Sequence, residues 1–270
     1  MYQNETIYYP QDEMNTPLLP VTNGCPYDQC TFCSMYKGSI YSEVPFSDIV
    51  YELKNMDPYT ERIFLVGADP LHIGYEKMLL ILKEIKKQLP YCACVASYAA
   101  VRSLKQYTLE ELSSLHEHGL RLLYVGFESG SEEILHMIHK GHTVEDAIRQ
   151  GQKLNEAHLL FNAIIMYGIA EHDKIHTHAV QTAKMLNQIN PHKIITMNLT
   201  LFTGTILYNK AENGLYTPTG RQERIEELKL LISSLHPCKK VLLDTTHPTN
   251  IVRVRGFLPD ETEKILNKIK

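Results

Sequence analysis

Two stretches decide the fold: Leu120-Arg121-Leu122-Leu123-Tyr124-Val125-Gly126-Phe127 and Phe161-Asn162-Ala163-Ile164-Ile165-Met166-Tyr167-Gly168. Both are apolar with little alternation. A strand with one solvated face alternates apolar and polar, whereas a strand covered by helices on one face and a packed interior on the other reads as a near-continuous apolar run. Shorter runs of this kind lie at 18–22, 63–66, 92–98 and 193–199. Helical period fills the intervals at about 47–54, 75–88, 109–118, 144–158 and 172–188. Thr108 with Glu111, and Thr143 with Asp146, have the spacing that satisfies free amides at a helix start, and Gly119 sits where a left-handed stop belongs.

Strand and helix alternate through six units, which demands parallel strands joined by right-handed crossovers. The expected class is α/β, a partial (β/α)6 TIM-like barrel with a short C-terminal extension. The pattern loosens after Thr200, where Phe202 to Gly220 is rich in turn formers. A helix at about 222–235, a strand near 241–243 and a final helix from about Glu261 are expected there. No linker marks a boundary. The reading is one domain over 1–270, with a core at about 15–205 and an extension at about 206–270 that closes the barrel mouth.

Charge and cysteine usage narrow the function classes. Lys and Arg number 27 and Asp and Glu 31, a formal charge of 27 − 31 = −4. Bulk nucleic-acid binding works by releasing counterions from a dense cationic surface, which this balance disfavours. There is no apolar run of membrane-spanning length and no signal-peptide pattern at the start, so no membrane association and a cytoplasmic location are expected. Six cysteines in 270 residues, three of them within nine, do not look like a secreted disulfide framework. Clustered thiols in a reducing compartment point to a metal.

The cluster is Gly24-Cys25-Pro26-Tyr27-Asp28-Gln29-Cys30-Thr31-Phe32-Cys33, directly after the first predicted strand. Three thiolates on one loop can ligate three irons of an iron-sulfur cluster and leave the fourth open to another ligand. Loops at the carboxyl ends of parallel strands are also where α/β barrels build active sites. A structural zinc site stays open as an alternative, although such sites favour two Cys-x-x-Cys pairs and only Cys30/Cys33 is present. On that alternative the chain is a zinc-stabilised α/β binding protein.

The loop resembles that of the radical S-adenosylmethionine (SAM) superfamily, in which three cysteines hold a 4Fe-4S cluster whose free iron chelates the methionine end of SAM. Phe32 stands where the family has an aromatic residue, and the Cys30/Cys33 gap matches. Four residues, Pro26 to Gln29, fill a first gap where the usual pattern has three. Val66-Gly67-Ala68-Asp69-Pro70 resembles the family's Gly-Gly-Glu loop, which implies that Gly67, Ala68 and Asp69 hold the SAM amino group. Gly126-Phe127-Glu128-Ser129-Gly130 resembles the station for ribose or the methionine end. The resemblance further implies Lys140 facing the SAM carboxylate and a station beside adenine at Asn162 to Gly168. Cys25, Cys30 and Cys33 are the implied catalytic and metal ligands, and Phe32, Gly67, Ala68, Asp69, Glu128, Ser129, Lys140 and Asn162 the implied cofactor contacts. The family reaction needs an external one-electron reductant such as flavodoxin or ferredoxin. SAM is cleaved to a 5′-deoxyadenosyl radical, while the protein orients the substrate and selects the hydrogen removed.

From the size, neither a cobalamin-type domain nor an appended RNA-binding module is expected, which favours a small-molecule substrate. Among compact members the chain looks most like the queuine lyase of queuosine salvage, which frees a deazaguanine base from its ribonucleotide. A guanine-like edge needs a carboxylate acceptor, with Asp173, Glu171 and Asp244 as candidates, and a phosphate needs cationic donors, with Arg253 and Arg255 as candidates. A tRNA- or protein-modifying enzyme is the alternative within the same chemistry. Cys92, Cys94 and Cys238 read as buried structural thiols. His172, His176 and His178 read as surface histidines, since no His-Glu-x-x-His motif accompanies them. Tyr36, Tyr98, Tyr124 and Tyr167 read as packing residues.

Overall fold

The computed structural model describes residues 7–269. They form the α/β architecture expected, a mostly parallel sheet flanked by helices. The chain divides into two compact units.

The first unit comprises the described residues up to Asp28, with Met35–Tyr124 and Glu156–Leu160. Its strands are β1 (Leu18–Pro20), β2 (Arg62–Val66), β3 (Cys94–Ala99) and the first half of β4 (Leu120–Glu128). β1 runs parallel to β2 with Leu18 opposite Phe64, and β2 parallel to β3 with Arg62 opposite Cys94. Helices α1 (Phe46–Lys54), α2 (Tyr75–Gln88) and α3 (Leu109–Glu117) connect them. The expected strand at 18–22 breaks after Pro20, which has no N–H to continue a ladder. Thr22–Asn23 pairs instead with Ser42–Glu43 in a short antiparallel ladder. Phe64, Tyr98 and Tyr124 pack edge to face with ring centroids 5.3, 6.0 and 6.1 Å apart, the arrangement that ring quadrupoles favour. Thr108 and Glu111 make both bonds of the predicted capping box, at 3.1 and 2.8 Å.

The second unit comprises Gln29–Ser34, Val125–Asn155 and the described residues from Phe161 onward. The rest of β4 is followed by β5 (Leu160–Tyr167), β6 (Lys193–Asn198), β7 (Val241–Asp244) and β8 (Arg255–Leu258). β5 and β6 run parallel from Asn162 opposite Lys193 to Tyr167 opposite Asn198, and β7 adds to β6 in parallel. β8 returns antiparallel, with Arg255 opposite Asp244. Residues beyond 205 therefore contribute two strands to the sheet. Helices α4 (Val144–Glu156), α5 (Ile175–Ile189) and α6 (Arg221–Ser233) cover this unit. Thr143 and Asp146 exchange their predicted cap bonds at 3.0 and 3.2 Å. The helical period read at 172–188 divides into a 3-10 turn, His172–Lys174, and α5. Short helices at Glu132–Met137 and Ile206–Glu212 lie where no helix was expected. Among the described residues no helix is long and apolar enough to cross a membrane.

Candidate active site

The boundary between the two units falls within the cysteine loop, which has a part in each. In the first, the four-residue gap is taken up by a turn in which Asp28 adopts φ +44° and donates its N–H to the Cys25 sulfur at 3.4 Å. Lys37 closes the turn, its ammonium 2.9 Å from the Asp28 carboxylate and donating to the Asp28 carbonyl at 2.8 Å. The Arg102 guanidinium lies 3.9 Å over the Tyr27 ring, a cation–π contact that holds the middle of the loop.

In the second unit, both backbone groups of Thr31 are anchored. Its N–H donates to the Ile138 carbonyl at 3.0 Å, and its carbonyl accepts from Leu207 N–H at 2.9 Å. Phe32, the aromatic residue before the last cysteine, packs on an apolar cluster that includes Ile138, Met166, Leu199 and Tyr216. The segment between Cys30 and Cys33 is thus fixed by its own two intervening residues, and neither cysteine is in a disulfide.

Lys140 supplies the charge. Burial acts against its ammonium, yet Glu128, Cys30 and Cys33 outweigh that cost and hold Lys140 above the ordinary lysine value. Its ion pair with Glu128 spans 2.8 Å, and both side chains are nearly buried. A cation beside two cysteines favours their thiolate forms. Soft thiolate donors next to a fixed cation fit an iron-sulfur cluster, which is anionic overall. The three loop cysteines are half-buried and none is in a disulfide. Among the described residues no group of three or more His, Cys, Asp or Glu side chains is drawn together tightly enough to hold a single metal ion.

The strand-end stations differ in what their side chains do. Gly67 has φ +148°, where glycine is favoured, and a Cβ there would overlap the Thr22 hydroxyl oxygen. That oxygen is buried without a hydrogen-bond partner among the described residues, so this cradle has an open polar position as well as close backbone. Ala68 is half-buried beside it. Asp69 is buried and faces the next connection: its carboxylate accepts from Ala100 N–H at 3.1 Å and Ser103 hydroxyl at 2.5 Å. Burial raises the Asp69 pKa despite those bonds. In the second unit Glu128 and Ser129 form a buried turn, and the buried Asn162 Oδ1 has no hydrogen-bond partner among the described residues.

The five residues read as substrate contacts fall in different settings. Asp244 is buried, 2.6 Å from Lys193 Nζ and accepting from the Thr246 hydroxyl at 2.6 Å, with Arg255 Nε at 3.7 Å. Burial opposes the Asp244 charge, but Lys193 and Thr246 hold its carboxyl below the usual range. Glu171 accepts from Thr217 N–H at 2.9 Å, whereas Asp173 and Arg253 are exposed.

Two expectations need correction. His178 is buried, bonded on both ring nitrogens to Glu227 and Ser129, while His172 and His176 are exposed as expected. The missed signal was its spacing to Thr182, Met185 and Ile189, which places it on the buried stripe of α5. Cys238 is exposed and Cys92 and Cys94 are half-buried, so none of the three is a fully buried core thiol. Of the tyrosines read as packing groups, Tyr124 and Tyr167 are fully buried.

Comparison with known proteins gives the lineage. The pattern of the Radical SAM superfamily matches residues 19–180, more than half of the chain. A tRNA uridine(34) acetyltransferase of Methanocaldococcus jannaschii is 25% identical over 75% of this chain and 45% of its own length. The heme chaperone HemW of Bacillus subtilis is 23% identical over 72% of this chain and 53% of its own length. The chain thus spans about half the length of these curated relatives. Among solved structures, the radical SAM methyltransferase TsrM of Kitasatospora setae superposes with a TM-score of 0.61 at 17% identity, covering 76% of this chain and 41% of that one. Coproporphyrinogen III oxidase (HemN) of Escherichia coli, a radical SAM enzyme, superposes with a TM-score of 0.60 at 13% identity, covering 81% and 51%. These structures share the fold. With the matched segment spanning the three-cysteine loop and its strand-end stations, the chain belongs to the radical SAM superfamily, whose cofactors are a 4Fe-4S cluster and S-adenosylmethionine.

Proposed function

We propose that this radical SAM enzyme removes a hydrogen from a small nucleoside-like substrate, and that its reaction is the release of queuine from queuosine 5′-phosphate. The observation that carries the hydrogen-abstraction reading is the anchored Cys30-Thr31-Phe32-Cys33 segment beside the Lys140–Glu128 pair. In this reading Cys25, Cys30 and Cys33 hold the cluster, and Gly67, Ala68, Asp69, Glu128, Ser129, Lys140 and Asn162 form the SAM site. Cluster and SAM together supply, when bound and given an electron by flavodoxin or ferredoxin, a carbon radical able to take hydrogen from an unactivated C–H bond.

The protein's own contribution is geometric. Backbone at Gly67 comes close to the ligand, Lys140 meets its carboxylate, and the buried turn at Glu128 and Ser129 fixes its position. Once hydrogen is taken from the ribose, the sugar radical can break the sugar-to-base bond without a hydrolytic water, and the base leaves as a neutral molecule after taking up one further electron from the reductant and one proton. Asp173, Glu171 and Asp244 are the acceptors for a guanine-like edge, and Arg253 and Arg255 the donors for a phosphate. The net charge of −4 favours a small ligand over a polyanion. We read residues 1–270 as one radical SAM domain acting in the cytoplasm.

The test is anaerobic reconstitution with iron and sulfide, then dithionite and SAM, with chromatography for 5′-deoxyadenosine and free base in the presence and absence of queuosine 5′-phosphate. Deoxyadenosine with released queuine supports the full reading. Deoxyadenosine without queuine removes the substrate and keeps the chemistry. Similarity to the archaeal tRNA acetyltransferase motivates a parallel arm with unmodified tRNA, in which nucleoside analysis showing a new modification would favour a tRNA-modifying role.

A further inference from the structure

A buried hydrogen-bond chain in the second unit ties four elements together. Glu227 of α6 accepts from Gly168 N–H, just after β5, at 2.8 Å through Oε2. Its other oxygen, Oε1, lies 2.5 Å from His178 Nδ1 on α5. His178 Nε2 lies 2.9 Å from the hydroxyl of Ser129, at the end of β4. That hydroxyl oxygen accepts from Ser131 N–H at 2.9 Å. Ser129, Glu227 and His178 are exposed by only 0%, 1% and 2%. One arrangement of protons satisfies every donor: Ser129 donates to Nε2, and the Nδ1–H donates to Glu227.

The order Glu–His–Ser is that of a hydrolytic triad, but Ser129 is fully enclosed and its oxygen already accepts a backbone N–H. No nucleophilic role fits a hydroxyl that a substrate cannot reach. What the chain holds is a turn. Glu128 adopts φ +62°, a left-handed conformation that side chains avoid, and Ser129 N–H donates back to the Phe127 carbonyl at 2.8 Å, the i to i+2 bond of a γ-turn. Such a conformation is disfavoured for a residue with a side chain and persists only where its surroundings over-determine it. Lys140 fixes the turn through the Glu128 carboxylate, and the chain from Gly168 through Glu227 and His178 fixes it through Ser129. Burying a carboxylate and an imidazole gives no net stability over apolar packing of the same shape, so geometry is what these residues deliver.

We propose that Glu227 and His178 are positioning residues that lock the Glu128–Ser129 turn into the conformation that receives SAM. This rests on the reading of that turn as part of the SAM site. The experiment measures SAM binding by equilibrium dialysis on anaerobically reconstituted protein, alongside iron content and thermal unfolding, for wild type, His178→Phe, His178→Gln and Glu227→Gln. The expected result is a loss of about tenfold or more in SAM affinity for His178→Phe and Glu227→Gln, about the free energy of one charge-assisted hydrogen bond. Iron content should be unchanged, and His178→Gln, whose amide can reach Ser129, should recover part of the affinity. A merely structural role would lower the unfolding temperature and leave affinity alone. SAM affinity within twofold of wild type in folded His178→Phe overturns the proposal, and Glu227→Gln decides in the same way if His178→Phe does not fold. Wild-type protein that carries its cluster but binds no SAM removes the underlying site assignment, and the proposal falls with it.

Discussion

At the scale of single residues, the site depends on charges that burial would neutralise if they stood alone. Lys140 and Glu128 are each nearly enclosed and satisfy one another at 2.8 Å. Removing one partner of such a pair strands the other in a medium that cannot solvate it. Lys140→Met is therefore expected to destabilise the cluster-free protein by about 3 kcal/mol in urea unfolding, because the stranded Glu128 carboxylate has lost its cation. Adding Glu128→Gln to that variant should recover much of the loss. A Lys140→Met protein as stable as wild type would mean that the pair contributes no fixed charge to the site. Sequence alone suggested Lys140 through family resemblance, but not its pairing with Glu128, because a contact between residues twelve apart is made by the turn and not by any local period. His178 was legible and was missed: its helical spacing to Thr182, Met185 and Ile189 outweighs the polarity of an imidazole.

At the scale of elements, most strands and the long helices were legible because their apolar patterns and caps agree with their packing. What escaped was short or determined by a neighbour. Glu132–Met137 and Ile206–Glu212 span fewer than two full turns and show no period that distinguishes them from loop. β8 takes its strand form from pairing with β7. Packing between long helices makes a sharper prediction at Gly151 on α4, where an added Cβ would lie 2.6 Å from Ile189 Cβ at the end of α5. Helix propensity alone favours Gly151→Ala by about 1 kcal/mol. Overpacking costs about 1–3 kcal/mol, so the expected outcome is a lower unfolding temperature. A rise would show that α4 shifts away from α5 freely.

The turn Gln11–Glu13 gives the corresponding prediction for the first unit. Glu13 is fully buried and accepts from Arg62, from Thr16 at 2.8 Å and from Tyr124 at 2.8 Å. Burial pushes its pKa up, but bonds from Arg62, Thr16 and Tyr124 overcome this and hold the carboxyl below its ordinary value of 4.5. The unfolded chain then binds the proton more tightly than the folded one, so this stability is present above about pH 4.5 and is lost as pH falls through the depressed folded value. Glu13→Gln should cost about 2 kcal/mol at neutral pH, less than a fully buried pair, since Arg62 keeps 37% of its side chain exposed. The difference from wild type should shrink in unfolding measurements below pH 4.5. A difference independent of pH would assign the effect to shape and not to charge.

At the scale of the whole molecule, six cysteines divide into three that suit a cluster and three that do not, and the division is physical. Cys94 accepts a hydrogen bond from the Arg62 guanidinium at 3.0 Å, and Cys92 donates to the Cys94 carbonyl at 3.7 Å. Burial raises both thiols, which leaves little thiolate to bind iron. Cys238 stands exposed, more than two hundred residues along the chain from the loop. Cys30 and Cys33 instead face the charge of Lys140, and Cys25 receives the Asp28 N–H. The triple variant Cys92→Ser, Cys94→Ser, Cys238→Ser should therefore reconstitute to the same iron and sulfide per chain as wild type, about four of each for a 4Fe-4S cluster. Cys33→Ala should lose most of both while keeping its far-UV circular dichroism, because Phe32 and the anchored Thr31 backbone hold the loop without the metal. Loss of iron from the triple variant would move a ligand out of the loop, and zinc in place of iron would return the chain to a structural-metal reading.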